Sequence, residues 1–369
     1  MKIKFIDFSR EYGLLKNKLD KKFASVSKKG SFILGKELIE FEKEFASYCG
    51  VKFAAGVNSG TDALHIGLLS LGIGRGDEVI VPDFTYIATA MAVSYTQAVP
   101  VFCDIKEDTF EIDPEDIERK ITSRTKAIIP VHLYGHPASM ENILKIAKKY
   151  KLKVIEDCAQ AHGAKINKVR VGSFGDCGCF SFYPTKNLGC YGDGGMIVTN
   201  SEKLYNRILK LRDYGRASKY KHVLIGYNSR LDTMQAAILR VKLKYLDIWN
   251  RKRKELAYYY NEYLKDAAGI ILPNEKKMYQ HVYHVYVVRI KKGRDAFCKQ
   301  LAGKNIPVLI HYPVPCHLQP VYKDLGYKKG DFPVSEECAK EVISLPLYPF
   351  LKKEELIYIA RTIRRLLRR

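Results

Sequence analysis

Three short apolar runs set the strongest limit on what this chain can fold into. They read "DEVIVP" (Asp77 to Pro82), "KAIIPVHLYG" (Lys126 to Gly135) and "KVIEDC" (Lys153 to Cys158). Between them lie helical patterns such as "MENILKIAKKY", with Ile143, Ile146, Ala147 and Tyr150 on one face. A strand that is apolar throughout is buried on both sides, and intervening amphipathic helices supply the cover. The pattern predicts an α/β domain built on a mainly parallel sheet, with ligands at the carboxyl ends of its strands. From Leu231 the pattern changes. A long helical stretch, "LDTMQAAILRVKLKYLDIWNRKRKELAYYYNEYLK", bridges to strand alternation in "HVYHVYVVRI", a helix near Asp295 to Lys304 and two further helices. This divides the chain into a large α/β domain over residues 1–245 and a small α+β domain over 246–369.

The 369 residues are 47% hydrophobic, enough for such a core. The formal net charge is +22, from 62 Lys+Arg against 40 Asp+Glu. A positive surface suits nucleic acid, but it equally steers anionic small molecules into a cleft. The basic tail "RTIRRLLRR" belongs to a segment with Leu356, Ile357, Ile359, Ile363 and Leu366 broadly at helical spacing, so its arginines read as a solvated face. No helix-turn-helix, zinc-finger or RNP pattern is present, and no nucleic-acid partner is expected. No run approaches the roughly 20 apolar residues that span a bilayer. The start, "MKIKFIDFSREYGLL", is interrupted by Asp7, Arg10 and Glu11, which points to the cytoplasm rather than a secretory route. Of nine cysteines only Cys177 and Cys179 are close in sequence, so reduced thiols and no metal centre are expected.

Three segments carry candidate chemistry. "NSGTDALHIGLLSLG" opens with Ser59, Gly60 and Thr61 before a helix bearing Leu64, Leu68 and Leu71. Free N–H groups at a helix start, beside a hydroxyl, make a phosphate site, although an ordinary N-cap reads the same way. "VIEDCAQAHGA" places Asp157 at the end of a buried strand, with Gln160 one helical turn later. Asp157 could hold a protonated ring nitrogen or simply cap a helix, and His162 alone reads as structural. "FSFYPTKNLGCYGDGG" sets Lys186 at a turn between two apolar strands, beside glycines that allow close backbone approach. A lysine amine of lowered pKa condenses with an aldehyde cofactor, and an acid near the pyridine nitrogen completes such a site. An isolated lysine is otherwise a snorkelling surface side chain.

These segments, with "VPDFTYIATA" and "GYNSRLDTMQAAIL", resemble the DegT/StrS family of pyridoxal-phosphate-dependent sugar aminotransferases across nearly the whole chain. The resemblance implies the aspartate-aminotransferase-like fold of type I enzymes and pyridoxal 5'-phosphate as cofactor. It implies Lys186 as the Schiff-base lysine and proton shuttle, and Asp157 as partner of the pyridine nitrogen. Gln160 would lie near the phenolic oxygen, and Tyr86 would stack on the ring. Gly60, Thr61 and Ser181 would hold the phosphate. Asn228 would reach that phosphate from a second subunit, with Arg230 near the substrate diphosphate, so a homodimer with shared sites is implied. Tyr183, His311, Tyr312 and His317 are substrate-binding candidates, the last three in "IHYPVPCHLQ". Taken singly, Tyr86 also reads as core, Ser181 as a strand hydroxyl and Asn228 as a turn residue. The implied reaction moves an amino group from glutamate to a nucleotide-diphosphate-linked 3-keto sugar. The alternatives are a 4-keto sugar or a non-catalytic cofactor-binding regulator.

Overall fold

The computed structural model describes residues 3–368. Residues 1, 2 and 369, the outer ends of the two expected domains and of the basic tail, lie outside the described residues. The chain opens with α1 (Phe8–Lys29) and α2 (Lys36–Cys49), then β1 (Phe53–Val57) and α3 (Gly60–Ser70). β2 (Glu78–Pro82), α4 (Ala88–Tyr95), β3 (Val99–Cys103), α5 (Pro114–Lys120), β4 (Thr125–Ile128), α6 (Met140–Tyr150) and β5 (Lys153–Asp157) follow in strict alternation. The short strands β6 (Lys165–Ile166) and β7 (Val169–Arg170) precede β8 (Cys177–Ser181), β9 (Gly195–Thr199) and α7 (Glu202–Arg212). A hairpin, β10 (Arg216–Ser218) and β11 (Lys221–His222), leads to α8 (Thr233–Leu243) and α9 (Leu246–Leu264). The remainder is β12 (Ile270–Ile271), β13 (Tyr279–Gln280), β14 (Tyr286–Ile290), α10 (Arg294–Ala302), α11 (Pro333–Glu341), β15 (Val342–Leu345) and α12 (Lys353–Leu367).

The seven-stranded sheet has the order β1-β9-β8-β5-β4-β2-β3. All its neighbours are parallel except those of β9, which runs against both β1 and β8. The three apolar runs are β2, β4 and β5, and the buried residues of β2 and β5 include Val79, Ile80, Val81, Val154 and Ile155. One face is covered by α3, α4 and α7, through Leu64, Leu68, Val93 and Ile208. The other is covered by α2 and α8 near β8 and β9, and by α6 near β4. Met140, Ile143 and Ala147 form the buried stripe of α6, whereas Tyr150 of the expected face is exposed.

The expected single bridging helix is two helices, α8 and α9, separated at Lys244 and Tyr245. The second core forms around the antiparallel sheet β12-β14-β15, with α9, α10 and α12 packed on it through Leu256, Tyr260, Leu301, Ile359 and Ile363. Ile3 joins this second core, while Cys316, Tyr322 and Phe332 return to the first. The amphipathic C-terminal helix is α12; Leu356, Ile359 and Ile363 face inward.

Candidate active site

The carboxyl ends of β5 and β8, the start of α3 and the loop before β9 converge on one cavity of about 440 Å³. Its lining includes Gly60, Thr61, Tyr86, Asp157, Gln160, Ser181, Tyr183, Lys186, His311 and Tyr312. Ten of the thirteen residues to which the family resemblance gives a role therefore meet in one place.

The phosphate end is built from α3. Ser59 is its N-cap and accepts a hydrogen bond from the backbone N–H of Asp62, which fixes the helix start at Gly60. The first N–H groups of a helix have no partner inside it and carry the positive end of its dipole. Gly60 is squeezed against β8: a Cβ there would lie 2.6 Å from Ser181 Cβ. Gly195 is equally confined, since a Cβ would lie 2.1 Å from the Ser59 carbonyl oxygen. Glycine at both positions lets β8, β9 and the α3 start approach closely enough to form a cradle.

Asp157 lies deeper. Its Oδ2 accepts from Thr89 Oγ1 at 2.8 Å and its Oδ1 from the Ala159 N–H at 3.1 Å. Burial pushes its carboxyl above the ordinary range, against those two bonds and the charge of Lys186. A cation placed beside it would restore the carboxylate. Lys186 is bonded through its own N–H to the Tyr183 carbonyl. Withdrawal from water lowers its ammonium to about 8, with only the Asp157 charge opposing. A cationic end, a buried acid and an amine close to neutrality form a donor set that fits pyridoxal phosphate.

Tyr86 and Tyr312 line the cavity from two different segments, with their ring centroids 5.7 Å apart. Gln160 does not follow Asp157 on a helix; residues 158–164 run through turns. Gln160 is placed instead by its amide, which accepts from the Tyr134 N–H at 2.8 Å and donates to Tyr312 Oη at 3.0 Å. Tyr134 also donates its hydroxyl to the His311 carbonyl, and His311 Nδ1 meets Ser344 Oγ at 2.7 Å. Burial, reinforced by Lys186, lowers His311 to about 4, so its ring is neutral near pH 7.

Three expected residues are elsewhere. His317 does not line the cavity; it is buried and paired with Asp83. Asn228 is exposed and bridges to Asp213, and Arg230 Nη1 lies 2.7 Å from Asp213 Oδ1; neither lines its own chain's cavity. His162 is a core residue, with its ring against Phe180 and Phe182. Sequence reasoning missed Thr89, Thr185, Asp193 and His284, which also line the cavity. Thr89 stands four residues after Thr85, and that helical spacing in "FTYIATA" was its signal; His284 is one of two histidines in "HVYHVY".

His132, Glu156 and Cys158 are close enough to suggest a metal centre. Glu156 is already saturated, accepting from the N–H groups of Gly172, Phe174 and Gly175. His132 Nδ1 accepts from the Ala138 N–H, which leaves its Nε2–H for Glu156 at 3.1 Å. The polar atoms of Glu156 and His132 are thus spent inside the fold.

Residues 14–364 match the DegT/DnrJ/EryC1/StrS aminotransferase family. The chain is 49% identical over 363 residues to the dTDP-3-amino-3,6-dideoxy-alpha-D-galactopyranose transaminase of Aneurinibacillus thermoaerophilus, covering 98% of this chain and 99% of that one. It is similar to the crystal structure of S. venezuelae DesV in complex with ketimine intermediate. The TM-score is 0.98 at 45% identity, covering 100% of this chain and 99% of the other. It is also similar to the structure of ntda from Bacillus subtilis with bound cofactor PMP, with a TM-score of 0.94 at 34% identity. That match covers 100% of this chain and 86% of the other.

Proposed function

The chain belongs to the DegT/DnrJ/EryC1/StrS aminotransferase family, and from that premise we propose that it transfers an amino group from glutamate to a nucleotide-diphosphate-linked 3-keto sugar. The observation that carries this reading is the meeting of Lys186, Asp157 and the α3 start around one cavity. When bound, pyridoxal phosphate supplies an electron sink for the carbon that exchanges its amine.

The chain's own residues have separate tasks. The α3 N–H groups, Thr61 and Ser181 hold the phosphate. The Asp157 carboxylate, aimed by its bond from Thr89, would accept the ring N–H. Lys186 would hold the cofactor through Nζ, and the same amine would serve as the base that moves the proton at the carbon bearing the donor amine. An amine close to 8 is a usable base at neutral pH. Tyr86 would pack on the ring, and Gln160 would lie near its phenolic oxygen. Tyr183, His311 and Tyr312 form the wall that meets the sugar. Asn228 and Arg230, outside their own cavity, complete the site of a second copy, Asn228 at the phosphate and Arg230 near the substrate diphosphate. The protein then works as a homodimer. A charge of +22 draws the anionic substrate in. Nine free cysteines suit a reducing compartment, and we place the reaction in the cytoplasm.

Incubation with glutamate and a panel of nucleotide-linked 3-keto and 4-keto sugars tests the assignment. Amination at C3 is expected; amination confined to C4 would overturn it.

A further inference from the structure

His317, displaced from the cavity, occupies a defined place between two acids. Its ring Nδ1 lies 2.7 Å from Asp83 Oδ2, and its own backbone N–H donates to Asp83 Oδ1 at 2.7 Å. Its Nε2 lies 3.4 Å from Glu336 Oε1. The main chain repeats the attachment, because the Cys316 N–H donates to the Asp83 carbonyl at 2.9 Å. Asp83 directly follows β2, and three residues later comes Tyr86. His317 follows Tyr312 by five residues. The contact therefore joins the segments that carry the two facing rings of the cavity.

Charge decides which form of the ring suits this place. A neutral imidazole donating through Nδ1 would aim the Nε2 lone pair at the Glu336 carboxylate, which is repulsive. The imidazolium donates through Nδ1 to Asp83 and turns its positive Nε2–H edge toward Glu336, an ion-pair contact with no hydrogen bond. Glu336 is not free to turn away. It accepts from the Gly330 N–H at 2.5 Å, and the start of α11 is held by Asp104, which accepts from the Val334 and Ser335 N–H groups. Other groups around the pair are the Cys316 thiol and, nearer Asp83, Asp104 and Tyr327; Lys120 stands over the Phe332 ring at 5.1 Å. Phe332 itself covers the His317 ring edge-on at 4.9 Å. Burial works against the imidazolium, but the bond to Asp83 and the charges of Asp83 and Glu336 outweigh it and raise His317 above its ordinary value.

We propose that His317 is a positioning residue: as an imidazolium between Asp83 and Glu336, it locks the Tyr312 wall of the cavity against the Tyr86 wall. This rests on the sugar-binding reading of that wall. A histidine raised by its partners gives its stabilisation in full at low pH and loses it as pH rises through its folded value. The lock therefore loosens on the alkaline side, and a wall displaced by an ångström costs substrate positioning.

Two measurements test it. The first is the pH profile of amino transfer, with kcat and KM for the ketosugar separated. The wild type should lose kcat/KM on the alkaline side mainly through KM. Glu336→Gln, which keeps the oxygen facing Gly330, should move that loss to lower pH. His317→Asn, which keeps a donor toward Asp83, should raise KM about tenfold or more and abolish the alkaline step. The second is the NMR titration of the His317 ring, assigned by its loss in His317→Asn. It should lie above the ordinary histidine value and fall in Glu336→Gln. An alkaline step unmoved by Glu336→Gln, or a His317 ring that titrates at or below the ordinary value, would overturn the proposal. The ring titration needs no substrate. Failure of the aminotransferase reading would instead leave the wild type without turnover while the titration stayed as predicted.

Discussion

Lysine side chains ordinarily titrate near 10.5, and Lys186 is lowered to about 8 because the cavity walls exclude water. Below about 8 the ammonium predominates and cannot attack an aldehyde; above it the free amine predominates. Covalent capture of pyridoxal phosphate should therefore rise with pH through this region. Asp157 is the one charge that opposes the shift. Asp157→Asn should move the capture profile to lower pH while cutting amino transfer by about two to three orders of magnitude. Capture rates against pH, alongside turnover, check both; an unmoved profile contradicts the assigned coupling. Asp157 was legible in the sequence because it ends an apolar strand, and Lys186 because it sits in the glycine-rich turn between two, where a charge needs a reason. Gln160 was legible only as a residue type. Its position depends on the Tyr134 N–H and Tyr312, which lie far off in sequence. His317 misled for a related reason. A histidine in a proline-flanked loop looks available, and nothing local shows that Asp83, more than two hundred residues earlier, takes it.

At the level of elements, the phosphate end depends on how closely α3 abuts β8. Gly60→Ala would force a methyl carbon to 2.6 Å from Ser181 Cβ, with no flexible side-chain end to yield. Overpacking of this kind costs about 2 kcal/mol. Here it should also open the cradle. After loading with pyridoxal phosphate, the variant should have a lower Tm and should lose more of its cofactor absorbance on gel filtration than the wild type. Unchanged retention would contradict the cradle. The strands and helices around it were readable because β2, β4 and β5 are buried on both faces, and α6 shows its stripe plainly. The antiparallel direction of β9 was not. "GMIVT" is as apolar as the parallel strands of the same sheet, and direction is set by the chain's route from Lys186. The break at Lys244 and Tyr245 was hidden too, because it contains neither proline nor glycine.

Over the whole molecule, the two cores draw on overlapping stretches of sequence, with Ala236, Leu239, Leu246 and Val282 still packed on the large sheet, and the chain crosses between the cores more than once. Ile3 packs in the second core, and Cys316, Tyr322 and Phe332 pack in the first. Such returns leave no local mark, because a buried side chain does not reveal which core it enters. They matter here because the returning segment carries His311 and Tyr312 to the cavity. The overall charge bears on encounter with an anionic substrate, whereas chemistry rests on one amine. The most direct test uses the intact protein saturated with pyridoxal phosphate, treated with borohydride, digested and mapped by mass spectrometry. The account predicts one reduced cofactor adduct, on Lys186, and none in Lys186→Ala, with amino transfer reduced about a thousandfold or more in that variant. An unlabelled Lys186 in the saturated wild type, or an undiminished rate in Lys186→Ala, would contradict it.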